Sequence, residues 1–311
     1  MPKLINYPHL ASQAFGVPLY VTQEVLAGVK SLLMPRMLGS QQEVMAGDDL
    51  PDGFEPKPLE VRGESRYRIE GLAVIPLHGI LVARRGQIDN TCTELTSYEW
   101  ARAQIATALA DERVKEVVLD INSGGGMAVG CKELAEFIYA KRSVKPITAL
   151  VNFSAYSAAY FIAAACSKVV VSESGGCGSV GVIMEHMEVS KWEEQVGLHF
   201  TTFYRGDRKK DGTPHEALSE GAMAAIDHRM DQAYDLFVSA VARYRGLSVE
   251  QVTGTQAALY SGEEAVANGL ADELATPQDY LNGLAASVAK ANKPAPSIGL
   301  RARTIELQNQ L

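Results

Sequence analysis

The strongest constraint on the fold is an alternation of apolar runs with helix-spaced segments between residues 114 and 172. Val114–Ile121, Ile147–Val151 and Lys168–Ser172 read as strands. Between them, Gly130, Leu134, Phe137 and Ile138 mark an amphipathic helix to about Arg142, and Ser157–Cys166 reads as a second helix. Strands alternating with helices of this length predict an α/β fold with a parallel sheet and helical crossovers. The pattern opens upstream with two short strands in Leu72–Val82, set around Pro76 to Gly79. A polar loop over Arg84–Thr96 and a helix over Ser97–Ala110 follow.

Downstream, Gly175–Gly181 and Val182-Ile-Met lead to a predicted helix near Glu188–Val196 and a strand over His199–Tyr204. Ser219 is placed to cap a long helix to Tyr244, in which Met223, Ile226, Met230, Phe237 and Val241 keep helical spacing. Ser261–Glu273 predicts a short helix closed by Gly269. At the other end, Val25, Leu26, Val29, Leu32 and Leu33 predict a helix that Pro35 ends or kinks. The expected organisation is an N-terminal helical extension and linker over residues 1–70, a main domain over 71–284 and a flexible tail over 285–311.

Composition bounds the function. A chain of 311 residues can bury one large core with extensions. Its formal net charge of −8 argues against a general nucleic-acid binder. Cys92, Cys131, Cys166 and Cys177 show no metal-type pairing, and the histidines form no metal-spaced pair, so neither metal nor cofactor is expected. Reduced thiols in a cytosol-like compartment fit this cysteine usage. No signal-peptide pattern opens the sequence, and the apolar runs stop well short of about 18 residues, so a soluble protein is expected.

Ser157 stands where a strand meets a helix, on a turn at which unpaired N–H groups and the positive dipole end converge. Such a serine is either an ordinary N-cap or a nucleophile whose attacked carbonyl oxygen finds an anion pocket. Gly124-Gly125-Gly126 follows a strand and can present bare N–H groups to a ligand, or be a tight turn and nothing more. Gly124-x-Gly126-x-x-x-Gly130 misses dinucleotide spacing by one residue; Gly176-x-Gly178-x-x-Gly181 matches it but leads into a strand. Neither a P-loop nor a Gly-x-Ser-x-Gly elbow is present. Lys209 and Lys210 lie in a turn-rich loop, either solvated or, if desolvated among Arg205 and Arg208, usable as a general base. His186 follows Ser157 closely enough to be an alternative base; His78 and His199 lie in strand-like stretches.

Taken together, five ordered stretches resemble peptidase family S49, the signal-peptide-peptidase-A family, and most closely its phage lambda-type capsid-maturation branch. They are Leu119-Asp-Ile-Asn-Ser-Gly-Gly-Gly126, Ala155-Tyr-Ser-Ala-Ala-Tyr160, Gly178-Ser-Val-Gly-Val182, Gly206-x-x-Lys-x-Asp-Gly-Thr-Pro214, and the run from Tyr260 to Glu273. The resemblance implies a ClpP/crotonase-like fold of repeated ββα units and a Ser–Lys dyad. Ser157 falls on the nucleophile and Lys209 on the base, with Lys210 as the alternative. Gly126 or Gly125, with the N–H of Ala158, falls on the oxyanion hole, and Gly178 and Ser179 fall on a substrate-binding turn. Gly124 departs from the proline of many relatives.

By the same resemblance, substrate adds as an extended strand beside the glycines, its small side chains filling narrow pockets. The dyad can be shared between subunits of a homo-oligomeric ring. The implied partners are the capsid scaffold, with portal and coat protein and the chain itself as further substrates, inside the prohead in the host cytoplasm. Two other functions stay open: a non-catalytic assembly or scaffold-binding component on the same fold, and a crotonase-like acyl-CoA enzyme using the glycine turns as its oxyanion hole.

Overall fold

The β-branched and aliphatic runs of the sequence become two sheets in the computed structural model, which describes residues 14–37, 71–84 and 95–291. In chain order the strands are β1 (Leu19–Val21), β2 (Leu72–His78), β3 (Leu81–Val82), β4 (Thr96–Ser97), β5 (Glu116–Ser123) and β6 (Gly125–Met127). Next come β7 (Ile147–Tyr156), β8 (Lys168–Val171), β9 (Gly176–Gly178), β10 (Leu259–Ser261) and β11 (Glu273–Leu274). The helices are α1 (Gln23–Met37), α2 (Tyr98–Ala110), α3 (Cys131–Lys141), α4 (Ala158–Ala164) and α5 (Ser190–Val196). They continue with α6 (Glu220–Arg245), α7 (Val249–Gly254), α8 (Gly262–Ala267) and α9 (Pro277–Ala291).

The larger sheet runs β10-β9-β7-β5-β2, with β8 and then β11 branching from β7, and all its pairs are parallel except β9 with β10. The smaller sheet runs β1-β6-β3-β4, with β1 antiparallel to β6. The fold is thus mixed α/β, as the alternation of runs predicts. Side chains of the large sheet divide by the period of two. Val117, Leu119, Ile121, Ala149 and Val151 face the main core with α2, α3, α4 and the end of α6. Val74, Val118, Leu150 and Val170 face the other way, under Tyr280, Leu281 and Leu284 of α9. Cover on both faces is what a parallel sheet requires, and it explains why β5 and β7 read as unbroken apolar runs.

Two capped helices set the frame. Ser97 Oγ accepts from Trp100 N at the start of α2, and Ser219 Oγ accepts from Ala222 N at the start of α6. The far end of α6 is tied down where Arg245 donates to both Asp272 carboxylate oxygens at 2.9 and 2.7 Å. Asp272 also accepts from Val169 N at 2.7 Å, joining α6 to β8. Helix α4 is buried on every side, which only a run of Ala, Tyr, Phe and Ile permits.

Several sequence expectations are corrected. His199–Tyr204 is not a strand; the segment is exposed and irregular, with no strand beside it among the described residues. Residues 72–78 form one strand through Pro76, paired in parallel with β5 among the described residues. Helix α1 runs past Pro35 to Met37, so Pro35 does not end it. Gly125 and Gly126 lie in a strand rather than a turn opening a helix, and α3 starts later, at Cys131. The predicted linker over 48–70, the loop over residues 85–94 and Cys92 lie outside the described residues.

Candidate active site

Strand β7 carries the site. Against β5 its register runs evenly to Ile121↔Val151 and then jumps to Ser123↔Ala155, so two steps on β5 face four on β7. Phe153, at φ 86°, takes up the excess in this bulge. Beyond the bulge the strand leaves β8 and pairs with β9 at Ser154–Tyr156. Ser157 then makes the turn into α4 at φ 55° and ψ −118°, a conformation L-residues rarely hold. Ser157 N donates to Gly178 O at 2.9 Å, and Ser157 O accepts from Phe161 N at 2.9 Å, clamping the turn from both sides.

This is a strained strand-to-helix elbow of the kind that lifts a nucleophile out of a sheet. The Gly-x-Ser-x-Gly spelling is absent because Ala155 and Ala159, both fully buried, stand at the two flanking small-residue positions. Small residues two places on either side of a serine were the available signal. Ser157 is 1% exposed, and its Oγ has no hydrogen-bond partner among the described residues. Leaving a buried hydroxyl unpaired costs about 1–3 kcal/mol, so the side chain is not acting as the cap of α4.

The glycine strand lies against it. A Cβ at Gly125 would fall 3.1 Å from Ser157 Cβ and 3.0 Å from Val21 Cα, and would overlap Tyr20 O. Gly125 holds φ +109°, and its N–H donates to Ser123 Oγ at 3.1 Å. Ser123, buried at the end of β5, also donates to Gly79 O at 2.6 Å and so locks the turn that aims β6. Ser123 and Tyr20 are the residues that sequence reasoning did not reach. Gly126 N–H is left to the strand ladder, and Ala158 supplies the next N–H after Ser157. Gly178 (φ +124°) and Ser179 (φ 56°) form the neighbouring turn, with Ser179 N donating to Ala258 O at 2.8 Å.

The three predicted bases sit apart from the hydroxyl, which none of them touches. Lys209 is exposed, on the wall of a surface recess of about 600 Å³ with Tyr204, Lys210, Asp211 and His215, and Ser157 is not part of that recess. Lys210 pairs with Glu216 at 2.8 Å, and this hydrogen bond holds its ammonium above the usual lysine range, a poor starting point for a base. His186 Nε2 lies 3.0 Å from Thr213 O. The described residues bring Ser157, Gly125, Gly126, Ala158, Gly178 and Ser179 together, but no base. They also hold no cluster of His, Cys, Asp or Glu fit for a metal, and no helix long and apolar enough to cross a membrane.

A parallel-sheet α/β body with a strained serine elbow beside a glycine strand is the layout that serine nucleophiles use. Residues 139–291 match the model of Peptidase family S49. Among curated relatives, the "Head-tail preconnector protein GP5" of Enterobacteria phage P21 is 36% identical over 91% of this chain and 58% of its own length. The "Capsid assembly protease C" of Escherichia phage lambda is 34% identical over 90% of this chain and 65% of its own. A "Putative signal peptide peptidase SppA" from Enterococcus faecium is 30% identical over 71% of this chain and 64% of its own. The chain therefore spans about three-fifths of the length of each of these relatives.

Proposed function

We propose that the chain is a serine endopeptidase of phage head maturation, acting through Ser157 and Lys209 on capsid-assembly proteins. The observation that carries the proposal is Ser157 itself: a strained, buried elbow serine with a free hydroxyl, set against Gly125 and Ala158. The names of the phage P21 and phage lambda relatives supply the biological setting. A ClpP/crotonase-like fold is part of this reading. It is supported by β2–β3–α2 and β5–β6–α3, each with one strand in the large sheet, one in the small sheet and a helix after them. Residues 71–284 make up the peptidase domain; the 1–70 extension supplies β1, and α9 runs on into the 285–311 tail.

The chemistry follows from the residue types. Neutral Lys209 removes the Ser157 proton, and the alkoxide attacks the scissile carbonyl, whose oxygen is held by the N–H groups of Gly126 and Ala158. Lysine then returns the proton to the leaving amine, and water, deprotonated by the same lysine, hydrolyses the acyl-enzyme and regenerates the free serine. Because no base among the described residues touches Ser157, Lys209 is assigned to reach the serine of a neighbouring subunit in a ring. Exposed Trp192, Val196, Leu198, Phe200 and Phe203, close in sequence to Lys209, support such a contact, Phe203 being 89% exposed. The substrates are the scaffold, then portal or coat protein and the chain itself, within the prohead in the host cytoplasm.

The test is co-expression of the full chain with its scaffold protein. Ser157→Ala and Lys209→Ala should each abolish scaffold cleavage, whereas Lys210→Ala and His186→Ala should leave it standing. Cleavage that survives Ser157→Ala refutes the proposal. A second reading, a non-catalytic assembly component, has one observation on its side: the Ser157 hydroxyl is closed off from solvent. Failure of a fluorophosphonate probe to label Ser157 in the assembled protein would favour it.

A further inference from the structure

Strand β1 lies where a peptide would have to lie. It runs antiparallel to β6, with Leu19↔Met127, Tyr20↔Gly126 and Val21↔Gly125 in register. On its other edge Leu19 N donates to Ile183 O at 2.8 Å and Ile183 N donates back to Leu19 O at 3.0 Å. The three residues are thus held between two strand edges, as an added peptide strand is held. Thr22 N donates to Gly124 O at 3.0 Å. The alternation of an antiparallel ladder makes Tyr20↔Gly126 the next hydrogen-bonded pair, with Gly126 N–H facing the Tyr20 carbonyl. One spot beside Gly125 borders Tyr20 O, Val21 Cα and Ser157 Cβ together. The Tyr20–Val21 peptide bond therefore lies close beside the buried serine.

The Tyr20 side chain occupies a built pocket. Its ring packs 4.7 Å from that of Phe237 and 5.8 Å from that of Phe161, and the two phenylalanines stack at 4.6 Å. At the far end Tyr20 OH donates to Ala233 O at 2.5 Å. Phe161 is one turn along α4 from Ser157, so the pocket is rigidly tied to the nucleophile. Past Val21 the chain enters α1 at once, with Leu26 N donating to Thr22 O at 3.1 Å. The leaving-group side is folded into a helix rather than extended, so the segment sits as a plug.

We propose that the groove between β6 and Ile183 is the acyl-side substrate site, that Leu19–Val21 of the chain occupies it, and that its selecting pocket accepts a tyrosine immediately before the scissile bond. This rests on the serine-peptidase reading of Ser157. It replaces the small residue expected in that pocket with a hydroxylated aromatic one, because a buried carbonyl acceptor penalises any side chain lacking the donor. A substrate must displace β1, and activity scales with the fraction of chains in which β1 is out.

The experiment uses the full chain. A fluorophosphonate probe on wild type and Ser157→Ala reports on the serine alone. In a Leu19→Cys/Ile183→Cys variant, an antiparallel pair at suitable spacing for a disulfide, oxidation should slow Ser157 labelling by about tenfold or more, and reduction should restore it. Tyr20→Ala should label faster than wild type; if it does not fold, the disulfide variant, which keeps Tyr20, still decides. Coumarin amides ending in Leu-Tyr should be cleaved with kcat/KM roughly tenfold above Leu-Phe and further above Leu-Ala. Labelling indifferent to the disulfide, or equal rates for the three amides, overturns this proposal while the peptidase reading stands. No labelling of Ser157 in any form removes both.

Discussion

Gly125→Ala is the perturbation whose outcome the structure constrains most tightly. Gly125 holds φ +109°, beyond the region L-residues tolerate, so an alanine there starts with about 1–3 kcal/mol of backbone strain. Its methyl would also overlap Tyr20 O and press on Val21 Cα at 3.0 Å and Ser157 Cβ at 3.1 Å. Two of these are backbone atoms of a strand hydrogen-bonded on both edges, so relief requires β1 or β6 to shift, costing about 1–3 kcal/mol more. The combined loss is several kcal/mol, at roughly 2–4 °C in Tm per kcal/mol for domains of about 150–250 residues. A shift of about 1 Å at Gly126 would also cost on the order of 100-fold in rate through misplaced geometry. Thermal unfolding and Ser157 labelling of the full chain measure both. Gly28→Ala is the control: Gly28 lies inside α1 with nothing within 4 Å of a new Cβ, and the change should stabilise by about 0.5–1 kcal/mol. If Gly125→Ala melts and labels like wild type, the close approach inferred between β1, β6 and the serine elbow is wrong.

Two further outcomes follow from single groups. Ser157→Ala, besides abolishing labelling, should raise thermal stability by about 1 kcal/mol, because it removes a buried hydroxyl that has no partner among the described residues; a lower Tm would mean that the hydroxyl is satisfied in solution. Burial pushes the Asp272 carboxyl up, but hydrogen bonds from Arg245 and Val169 N outweigh it and hold its pKa below the usual aspartate range. A carboxyl depressed on folding stabilises above its unfolded value of about 3.9 and loses that contribution as pH falls through the folded value. Asp272→Asn should therefore cost about 2–4 kcal/mol at neutral pH, by stranding the mostly buried Arg245 side chain. It should also flatten the acid limb of a urea-stability series below about pH 4; an unchanged acid limb would place the acid sensitivity elsewhere.

Features carried by residues near one another in the chain are legible in the sequence. The periodicity of β5, β7 and β8, the Ser219 cap and the Ala-rich helix after Ser157 are local, and the structure keeps each of them. The expected strand over His199–Tyr204 failed because its apolar residues meet no partner edge among the described residues, and a strand exists only through its pairing. The serine elbow was half legible: Ala155 and Ala159 preserve the small-residue spacing, but the positive φ of Ser157 arises from the β7 bulge and the Gly178 carbonyl, neither of which is written in the spacing.

By itself the sequence determined an α/β body, a serine at a strand–helix junction and a glycine run able to lie beside it. Only the tertiary structure decided that Gly125, not merely some glycine, touches that serine, that Ser123 locks its turn, and that Tyr20 closes the groove against Phe161 and Phe237. The physical reason is that caps and periodicities are satisfied within a few residues. The groove instead joins segments more than a hundred residues apart, and the entropy of closing such loops grows only slowly with length. Sequence separation therefore carries almost no information about which distant segments meet, and complementary strand edges and a fitting aromatic pocket settle the choice.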